Sequence, residues 1–550
     1  MRKLFYTAAI LLLTILCAQG ATRSRKNAIS KNLDIFSTVF KEMQTFYVDS
    51  IDADKAVGTA IAAMLSELDP YTVYMPKDET EEFKSMNAGE FGGIGSYIMQ
   101  RKGNVYISGP HEGTPAHRAG LRTGDLIVTI DGDTMLGKTS QEVMGRLKGT
   151  PGTPLKLVVK RPYVEDSILT IDLVREKIKV PSVPYYGMQR DGIGYIALTQ
   201  FTETSADEVR KALLELKQNP EMKGLVLDLR SNPGGLLESA VKIVGYFVPK
   251  GTEVLRTRGK GVMNEKVYKT TASPIDTELP LAVLIDDESA SASEITAGAL
   301  QDLDRAVIIG NRSFGKGLVQ TTRDIPYEGL LKVTVAKYYI PSGRLIQAID
   351  YSHRNPDGSV ARIPDSLTNT FTTAHGRTVR DGGGITPDVN VSYPEMSRIV
   401  YNVMSDFWAS DFATKYYAEH PSDKPDLATF TVTDSIYSQF KSFINPDKFN
   451  YDRVCEIMLQ RLRDAAKIEG YRSDSLNEQF DRLEAMLKHP LGADLDTHRD
   501  DIAPIIAREI IERYYLEPGR IAKQLQSDPG LDSAITVLST ENRAQSILRP

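Results

Sequence analysis

Cysteine is scarce in this chain of 550 residues, and this limits how the fold can be held together. The only two cysteines are Cys17 and Cys455. Cys17 lies in an apolar N-terminal stretch, and cleavage of the chain after Gly20 would leave Cys455 alone. A single cysteine cannot form an internal disulfide, so the sequence predicts a protein that is stabilised by the packing of its core.

An excess of positive charge is also missing, and histidine is rare. Lys and Arg number 66 against 72 Asp and Glu, which gives a formal net charge of −6. Nucleic-acid-binding proteins carry a basic patch, so this balance does not favour nucleic acid as a partner. Among the seven histidines, His111-Glu112 begins like a zinc-protease helix, but Pro115 stands where the second histidine is required. The sequence therefore predicts neither a metal site nor a cofactor.

The apolar stretch at the N-terminus, Leu4 to Ala18, is shorter than the roughly 20 residues that span a bilayer. It follows Arg2 and Lys3 and precedes the small-residue site Ala18-Gln-Gly20, which is the pattern of a secretory signal peptide. We expect the mature chain to be extracytoplasmic, in the periplasm. A retained segment would instead hold the protein at the membrane.

Ser291 stands where an apolar run turns into a helix. Leu281 to Asp286 is typical of a buried strand, and Ser289 to Leu300 has the small and apolar residues of a packed helix. Because the N–H groups of a first helical turn are unpaired, the N–H of Ala292 could stabilise an oxyanion formed by attack of Ser291. The same residues also fit a capping box, in which Ser291 only caps the helix and Glu294 reaches back.

Lys316 is a candidate general base for that serine. A lysine acts as a base near neutral pH only if its pKa falls by roughly three units, and burial away from carboxylates has this effect. No Asp or Glu occurs from Arg305 to Arg323, and the neutral amide of Gln320 stands four residues after Lys316. The pattern suggests a serine hydrolase that needs no histidine.

The segment around Lys316 also partly matches a phosphate-binding loop. Gly310 to Lys316 follows an apolar strand and fits G-x-x-x-x-G-K. However, Gly317 takes the place of the required Ser or Thr, and the following residues do not continue as a helix. The nucleotide-binding interpretation is therefore disfavoured.

A glycine turn offers a second oxyanion donor. Leu225 to Leu229 predicts a core strand, and Pro233-Gly234-Gly235 predicts a turn before an apolar helix. Glycine at such a turn lets backbone N–H groups approach a substrate carbonyl closely. An ordinary strand-to-helix turn is the alternative.

Together these segments resemble the C-terminal-processing, or tail-specific, serine proteases. The resemblance rests on SASASE, FGKGLVQ, YYIPSGRLIQ (Tyr338 to Gln347) and GITPDV (Gly384 to Val389) in this order, and it covers about residues 28–395. The stretch between Gln347 and Gly382 is longer than the family's usual link. Its composition predicts a polar loop insertion.

The resemblance implies an acyl-enzyme peptidase with a role for each motif residue. Ser291 would be the nucleophile, Lys316 the general base and Gln320 the residue that orients Lys316. The oxyanion hole would be formed by the main-chain N–H groups of Ala292 and of Gly234 or Gly235.

The family also carries a PDZ module, and this chain has the matching residues. Phe91 to Ile98 (FGGIGSYI) is a glycine-rich loop that leads into a strand, and Pro115 to Asp133 has the turn, strand and hairpin of the module. Such a module binds a chain end as an added strand, while loop N–H groups bind its terminal carboxylate. The candidates for this carboxylate loop are Phe91, Gly92, Gly93, Ile94 and Gly95. Glycines that serve the turn alone, without a ligand, are the alternative.

Apolar periodicity and the resemblance together predict the fold class and the domains. Helical spacing near both ends of the chain and strand–helix alternation from about residue 186 indicate a multidomain α/β protein. We expect a mixed α/β protease core with an inserted PDZ domain, an N-terminal helical segment and a mostly helical C-terminal appendage. The predicted bounds are 1–20 for the signal peptide, 28–84 for the N-terminal helices, 85–164 for the PDZ domain, 165–395 for the core and 396–550 for the helical C-terminal region.

The predicted function is that of a serine endopeptidase that recognises the C-terminal tails of protein substrates through its PDZ domain. Its predicted partners are proteins or peptides with accessible C-terminal tails. The helical C-terminal region could also bind a regulatory adaptor or a second copy of the chain. The alternative from another class is a catalytically inactive, PDZ-containing peptide-binding or scaffold protein.

Overall fold

The computed structural model describes residues 27–261, 265–355, 360–449, 451, 453–488 and 490–549. The predicted signal peptide, residues 1–20, lies outside the described residues. Within the described ranges, no helix combines the length and the apolar character that crossing a membrane requires.

The N-terminal region is mostly helical, as its apolar periodicity predicts, but it also contains a short strand. Residues 73–75 form a strand that pairs antiparallel with residues 330–332 of the core. Much of the apolar helix surface stays uncovered, and Phe46 is 77% exposed. The elements are α1 (27–46), α2 (Ala53–Ser66), β1 (Val73–Met75) and α3 (Lys77–Ala88).

The next region folds as a separate β-rich module with its own apolar core. Its main sheet has the strand order β3-β4-β5-β7-β8, β6 pairs with β5, and β2 pairs with β9. The elements are β2 (Glu90–Gly93), β3 (Ser96–Arg101), β4 (Asn104–Pro110), α4 (Pro115–Arg118), β5 (Leu126–Ile130), β6 (Asp133–Thr134), α5 (Ser140–Leu147), β7 (Pro154–Lys160), β8 (Ile168–Val174) and β9 (Glu176–Lys179).

The module extends beyond residue 164, where the sequence analysis ended it. β8 pairs with β7 along its whole length, from Pro154 opposite Val174 to Lys160 opposite Ile168. Leu173 on β8 is buried in the core of the module. The pairing of β8 with β7 is not visible in the sequence, because a hairpin partner is recognised by its pairing, which a break in composition does not reveal.

The α/β core contains a six-stranded sheet of order β10-β11-β12-β15-β16-β23 and a five-stranded antiparallel sheet. In the six-stranded sheet only β10 runs antiparallel to its neighbour. The elements are β10 (Tyr185–Met188), β11 (Ile193–Ala197), α6 (Ser205–Leu216), β12 (Gly224–Asp228), α7 (Leu237–Val244), β13 (Glu253–Gly259), β14 (Glu265–Lys269), β15 (Leu281–Ile285), α8 (Ala292–Asp302), β16 (Val307–Gly310), β17 (Leu318–Ile325), β18 (Gly329–Tyr339), β19 (Ile349–Arg354), β20 (Val360–Arg362), β21 (Thr370–Thr372), β22 (Thr378–Arg380) and β23 (Val389–Asn390).

The parallel strands are apolar throughout because both faces of the sheet are covered. Alternate residues of β12 point to opposite faces: Leu227 packs with α6, α7 and α8, whereas Val226 packs with residues 525–538 near the C-terminus. The second face of the six-stranded sheet is thus closed by the C-terminal region.

The stretch between Gln347 and Gly382 was expected to be a polar loop insertion. The structure instead forms two small antiparallel pairs there, β19 with β20 and β21 with β22. The expectation of a loop was wrong because these strands are too short and too polar to show an apolar period.

The C-terminal region is helical, as predicted. Helix α15 is broken at Leu516, whose φ of 57° and ψ of −161° are not helical, two residues before Pro518. The predicted fold class, a mixed α/β core with a separate β-rich module and helical ends, is confirmed. The elements are α9 (Arg398–Ser405), α10 (Trp408–Glu419), α11 (Asp434–Phe443), α12 (Val454–Ile468), α13 (Asp474–Leu487), α14 (Leu491–Thr497), α15 (Arg499–Gln524), α16 (Pro529–Ser539) and α17 (Arg543–Leu548).

Candidate active site

Ser291 lies at the N-cap of α8, directly after the turn that follows β15. Its φ of 55° and ψ of −111° are unusual for a residue with a side chain, and such strain is often found at functional sites. Ser289 and Ser293 are fully buried, and each donates to a backbone carbonyl oxygen at 2.8 Å. Ser291 is therefore the partly exposed serine of this run.

The carboxylate of Glu294 joins the serine segment to the lysine segment. Its Oε2 accepts the N–H of Ser291 at 2.9 Å and the N–H of Lys316 at 2.8 Å. Its Oε1 accepts the N–H of Gly315 at 2.7 Å and the hydroxyl of Ser313 at 2.5 Å. Burial raises the pKa of Glu294, and these four donors act against that effect. One buried side chain thus holds the main chains at 291 and 316 side by side.

The glutamate half of the predicted capping box is therefore formed, but capping is not its whole role. In the capping box predicted from the sequence, Glu294 is a partner only for its own helix. Its contacts with Gly315 and Lys316 come from another segment of the chain. No local pattern contains this information.

Tyr338 on β18 supplies a second link between the same two segments. Its hydroxyl lies 3.2 Å from the carbonyl oxygen of Ser291 and 2.8 Å from that of Lys316. The side chain is buried, so the hydroxyl needs such acceptors. Tyr338 belongs to a motif that was noted in the sequence, but this contact was not foreseen.

Lys316 lies on the loop between β16 and β17. The pKa of Lys316 is lowered to about 8, first by burial and second by the charge of Lys332, while Glu294 and Asp69 act in the opposite direction. Lys316 forms no ion pair with any carboxylate in the described part of the chain. The lack of acidic residues between 305 and 323 therefore did not describe the full surroundings of Lys316, because folding brings two acids from other segments near it. Burial still has the larger effect on its pKa.

The loop of Lys316 continues as strand β17. A phosphate-binding loop would require a helix N-terminus at this position. The disfavoured nucleotide interpretation thus receives no support from the fold.

Gln320 lies on β17, and its Nε2 donates to Thr334 Oγ1 on β18 at 3.1 Å. The N–H of Thr334 in turn donates to Thr72 Oγ1, also at 3.1 Å. This hydrogen bond connects the side-chain amide of Gln320 to the neighbouring strand and not to the amine of Lys316. The orienting role that the resemblance implies for Gln320 stays a prediction.

Gly234 brings the glycine turn against the serine segment. Its φ is 99°, and a Cβ on it would lie 2.8 Å from Ser291 Cβ and 2.9 Å from the nitrogen of Ala292. A residue with a side chain would collide there, so glycine is required. The N–H of Gly234 already donates to Asn232 Oδ1 at 2.9 Å.

Two backbone N–H groups beside Ser291 remain available. Neither the N–H of Gly235 nor that of Ala292 donates to an acceptor among the residues that the structure describes. Gly235 is exposed, whereas Ala292 is buried at the start of α8. Both glycines are candidates for the second oxyanion donor. Gly235 has the unused N–H group, whereas Gly234 allows the turn to lie close to Ser291.

The predicted carboxylate loop of the PDZ module borders a cavity of about 380 Å³ between β3 and α5. The N–H groups of Ile94 and Gly95 meet no acceptor within the described ranges, so they are available to a ligand. Gly92 does not line the cavity, because it packs against the backbone of Gly149, where a Cβ would lie 2.1 Å from the carbonyl oxygen. The predicted residues that do line it are Phe91, Gly93, Ile94 and Gly95.

A lysine that was not predicted from the sequence lines this cavity together with its ion-pair partner. Lys148 follows α5 and lines the cavity, and its Nζ bonds Glu82 Oε1 of α3 at 2.7 Å. Nothing in the spacing of the sequence relates these two residues.

Models of known families match most of the chain. The model described as peptidase family S41 matches residues 192–357, and a PDZ domain model matches residues 106–161. A model of the C-terminal helical domain of probable PDZ-proteases matches residues 399–538, and a model of the N-terminal domain of the activating protease CtpB matches residues 15–80.

Curated relatives agree with these models. The carboxy-terminal-processing protease of Bartonella bacilliformis is 38% identical over 353 residues, which are 63% of this chain and 80% of that protein. A probable CtpA-like serine protease of Staphylococcus aureus strain N315 is 34% identical over 456 residues, which are 82% of this chain and 81% of that protein. Among solved structures, the photosystem II D1 C-terminal processing protease is 28% identical over 64% of this chain and 86% of that chain, with a TM-score of 0.36.

Proposed function

Because this chain belongs to peptidase family S41, and thus to the C-terminal-processing serine proteases, we propose that it cleaves protein substrates through a Ser291–Lys316 pair. The observation that carries this proposal is the Glu294 carboxylate, which holds the main chains of both residues. The partly exposed Ser291 and a lysine with a pKa of about 8 then supply a nucleophile and a base.

The proposed reaction proceeds through an acyl-enzyme. Neutral Lys316 takes the proton of Ser291 Oγ while this oxygen attacks the peptide carbonyl. The N–H groups of Gly235 and Ala292 stabilise the negative charge on the carbonyl oxygen. Lys316 returns the proton to the leaving amine, and water then releases the acyl product. Gln320 would orient Lys316 in this scheme through its amide oxygen Oε1, since the bond to Thr334 uses only Nε2.

The proposed substrate is a protein with an accessible C-terminal tail. The tail would enter the cavity beside β3, where the N–H groups of Ile94 and Gly95 and the charge of Lys148 can bind its carboxylate. We further propose that the enzyme acts outside the cytoplasm, as the N-terminal signal pattern suggests. Adaptor binding and self-association remain proposals for the helical C-terminal region.

Two variants and one control test the catalytic pair. Fluorescein-labelled casein, an unfolded protein, serves as the substrate, and a phosphonate probe that reacts with activated serines serves as a second readout. We expect Ser291→Ala and Lys316→Ala each to lose both activities by at least a hundredfold. Lys337→Ala, which removes an exposed lysine from β18, should behave like the wild type.

The outcomes separate the proteolytic function from its alternative. Wild-type turnover in either Ser291→Ala or Lys316→Ala would refute the assigned pair. A wild-type protein that binds tail peptides but neither cleaves casein nor reacts with the probe would instead be the inactive scaffold.

A further inference from the structure

The amine of Lys316 lies over an aromatic ring that the catalytic motifs do not contain. Its Nζ is 4.2 Å from the centroid of the Tyr71 ring. An ammonium at this distance is attracted by the negative face of the ring. Tyr71 comes from the N-terminal region, far from the protease motifs in the chain.

The backbone around Tyr71 is held rigidly at this place. The carboxylate of Asp69 accepts the N–H groups of Tyr71 and Thr72, both at 2.8 Å, and Thr72 Oγ1 donates to it at 3.0 Å. Strand β1 follows immediately and pairs with β18, with Val73 opposite Lys332. Tyr71 therefore reaches Lys316 from a turn that is fixed at both of its ends.

A second tyrosine supports the first. The hydroxyl of Tyr351 lies 3.3 Å from that of Tyr71, and the two rings meet edge to face at 5.9 Å. Tyr351 lies on β19, in the insertion between Gln347 and Gly382. Burial raises the pKa of Tyr71 and the Tyr351 contact raises it further, so the Tyr71 hydroxyl stays neutral.

We propose that Tyr71 is a positioning residue for Lys316, and that Tyr351 orients the ring of Tyr71. The amine of Lys316 is then held in place by two segments outside the protease motifs, the N-terminal turn and the insertion. This inference rests on the proposed function, since it assigns a partner to the general base.

The contact with the Tyr71 ring keeps the lysine of a Ser/Lys pair in one position. A lysine side chain has four rotatable bonds, and a buried amine without an ion pair has few contacts that hold it in one place. The ring covers the nitrogen with an apolar surface but still attracts the ammonium form. It thus holds the amine without the carboxylate that would keep it protonated.

The test compares variants of the full-length protein at Tyr71. Tyr71→Phe retains the ring, whereas Tyr71→Leu retains apolar cover without it. Both are measured for casein cleavage and for the rate of Ser291 labelling by the phosphonate probe between pH 6 and 9.5. Tyr74→Leu is the matched control, because Tyr74 follows on β1 and packs over Gly329.

Tyr71→Phe should keep kcat within about threefold and the pH midpoint unchanged. Tyr71→Leu should lower kcat on the order of tenfold to a hundredfold with little change in KM, because the amine is misplaced. The midpoint of its pH–rate profile should fall by roughly half a pH unit, because the ammonium form of Lys316 loses its attraction to the ring. Tyr351→Phe should lose a few-fold in kcat, and Tyr74→Leu should match the wild type.

Several outcomes would overturn the proposal. Wild-type kcat and midpoint in Tyr71→Leu would mean that the ring does not position the amine. A midpoint that moves upward would mean that the ring only excludes water, and equal losses in Tyr71→Leu and Tyr74→Leu would indicate general damage to β1. Failure of the catalytic pair itself would appear separately, as activity in Lys316→Ala.

Discussion

The rate of cleavage should depend on pH through Lys316. Its pKa lies about 2.5 units below the ordinary value of 10.5, which corresponds to about 3 kcal/mol at 1.36 kcal/mol per unit. At pH 7 about one tenth of the molecules then carry a neutral amine, against about 3 in 10,000 for an exposed lysine. Burial therefore raises the concentration of active base about 300-fold at this pH.

The assay is kcat/KM for casein cleavage, measured with the labelling rate of Ser291, from pH 6 to 9.5. We expect both rates to rise with pH around a midpoint of about 8, with roughly a tenfold gain from pH 7 to pH 9. A flat profile across this range would show that Lys316 does not change its charge there. A midpoint near 10.5 would show that the amine is not desolvated, and either result refutes the reasoning.

The same shift predicts a stability effect of known sign. The pKa of Lys316 is lower in the folded chain than in the unfolded chain, so stability falls as the pH drops from about 10.5 through about 8. Lys316→Met has no charge to desolvate and should be more stable than the wild type, by about 3 kcal/mol at pH 7 and about 1 kcal/mol at pH 10. Urea unfolding at both pH values measures this, and a difference that does not shrink at pH 10 contradicts the assignment.

Three further substitutions test the surroundings of the site. Gly234→Ala places a Cβ 2.8 Å from Ser291 Cβ, so we expect kcat/KM to fall on the order of a hundredfold, and an active variant would contradict the close approach. Glu294→Gln turns an amide donor toward the N–H groups that the carboxylate accepts. We expect this to lower the free energy of unfolding in urea by about 3 kcal/mol and to lower kcat. Unchanged stability would refute the role of Glu294 in holding the two segments together. Asp528→Ala removes one of the two carboxylates that Arg230 bonds, the one at 2.8 Å, and leaves Asp228 as the other. We therefore expect a loss of about 2 kcal/mol and faster trypsin cleavage of the C-terminal helices; equal digestion rates would oppose this.

Local patterns predicted the elements that carry the catalytic motifs. The apolar run before Ser291 forms β15, and the small residues after it form α8. The glycine turn follows β12, and Lys316 precedes β17. These predictions succeed because apolar runs, turn residues and helix starts are set by interactions between residues close in the chain.

Pairing and packing between segments that are distant in the chain could not be predicted from local sequence patterns. Strand β8 was not predicted as part of the sheet of the PDZ module, because it is defined by its pairing with β7. The insertion was taken for a loop, although it forms β19 and β20 and contributes Tyr351. Short polar strands have no period that distinguishes them from loops.

The sequence by itself determined which residues could be a nucleophile, a base and an oxyanion turn, because side-chain chemistry and local backbone preference belong to each segment. Only the tertiary structure decided that Glu294 holds the serine and lysine segments together and that Gly235 has the free N–H. It also placed Tyr71 under the amine and next to Tyr351, which is 280 residues away in the chain. Such contacts, and the burial that lowers the pKa of Lys316, exist only when the sheets pack, because desolvation depends on every segment that surrounds the amine.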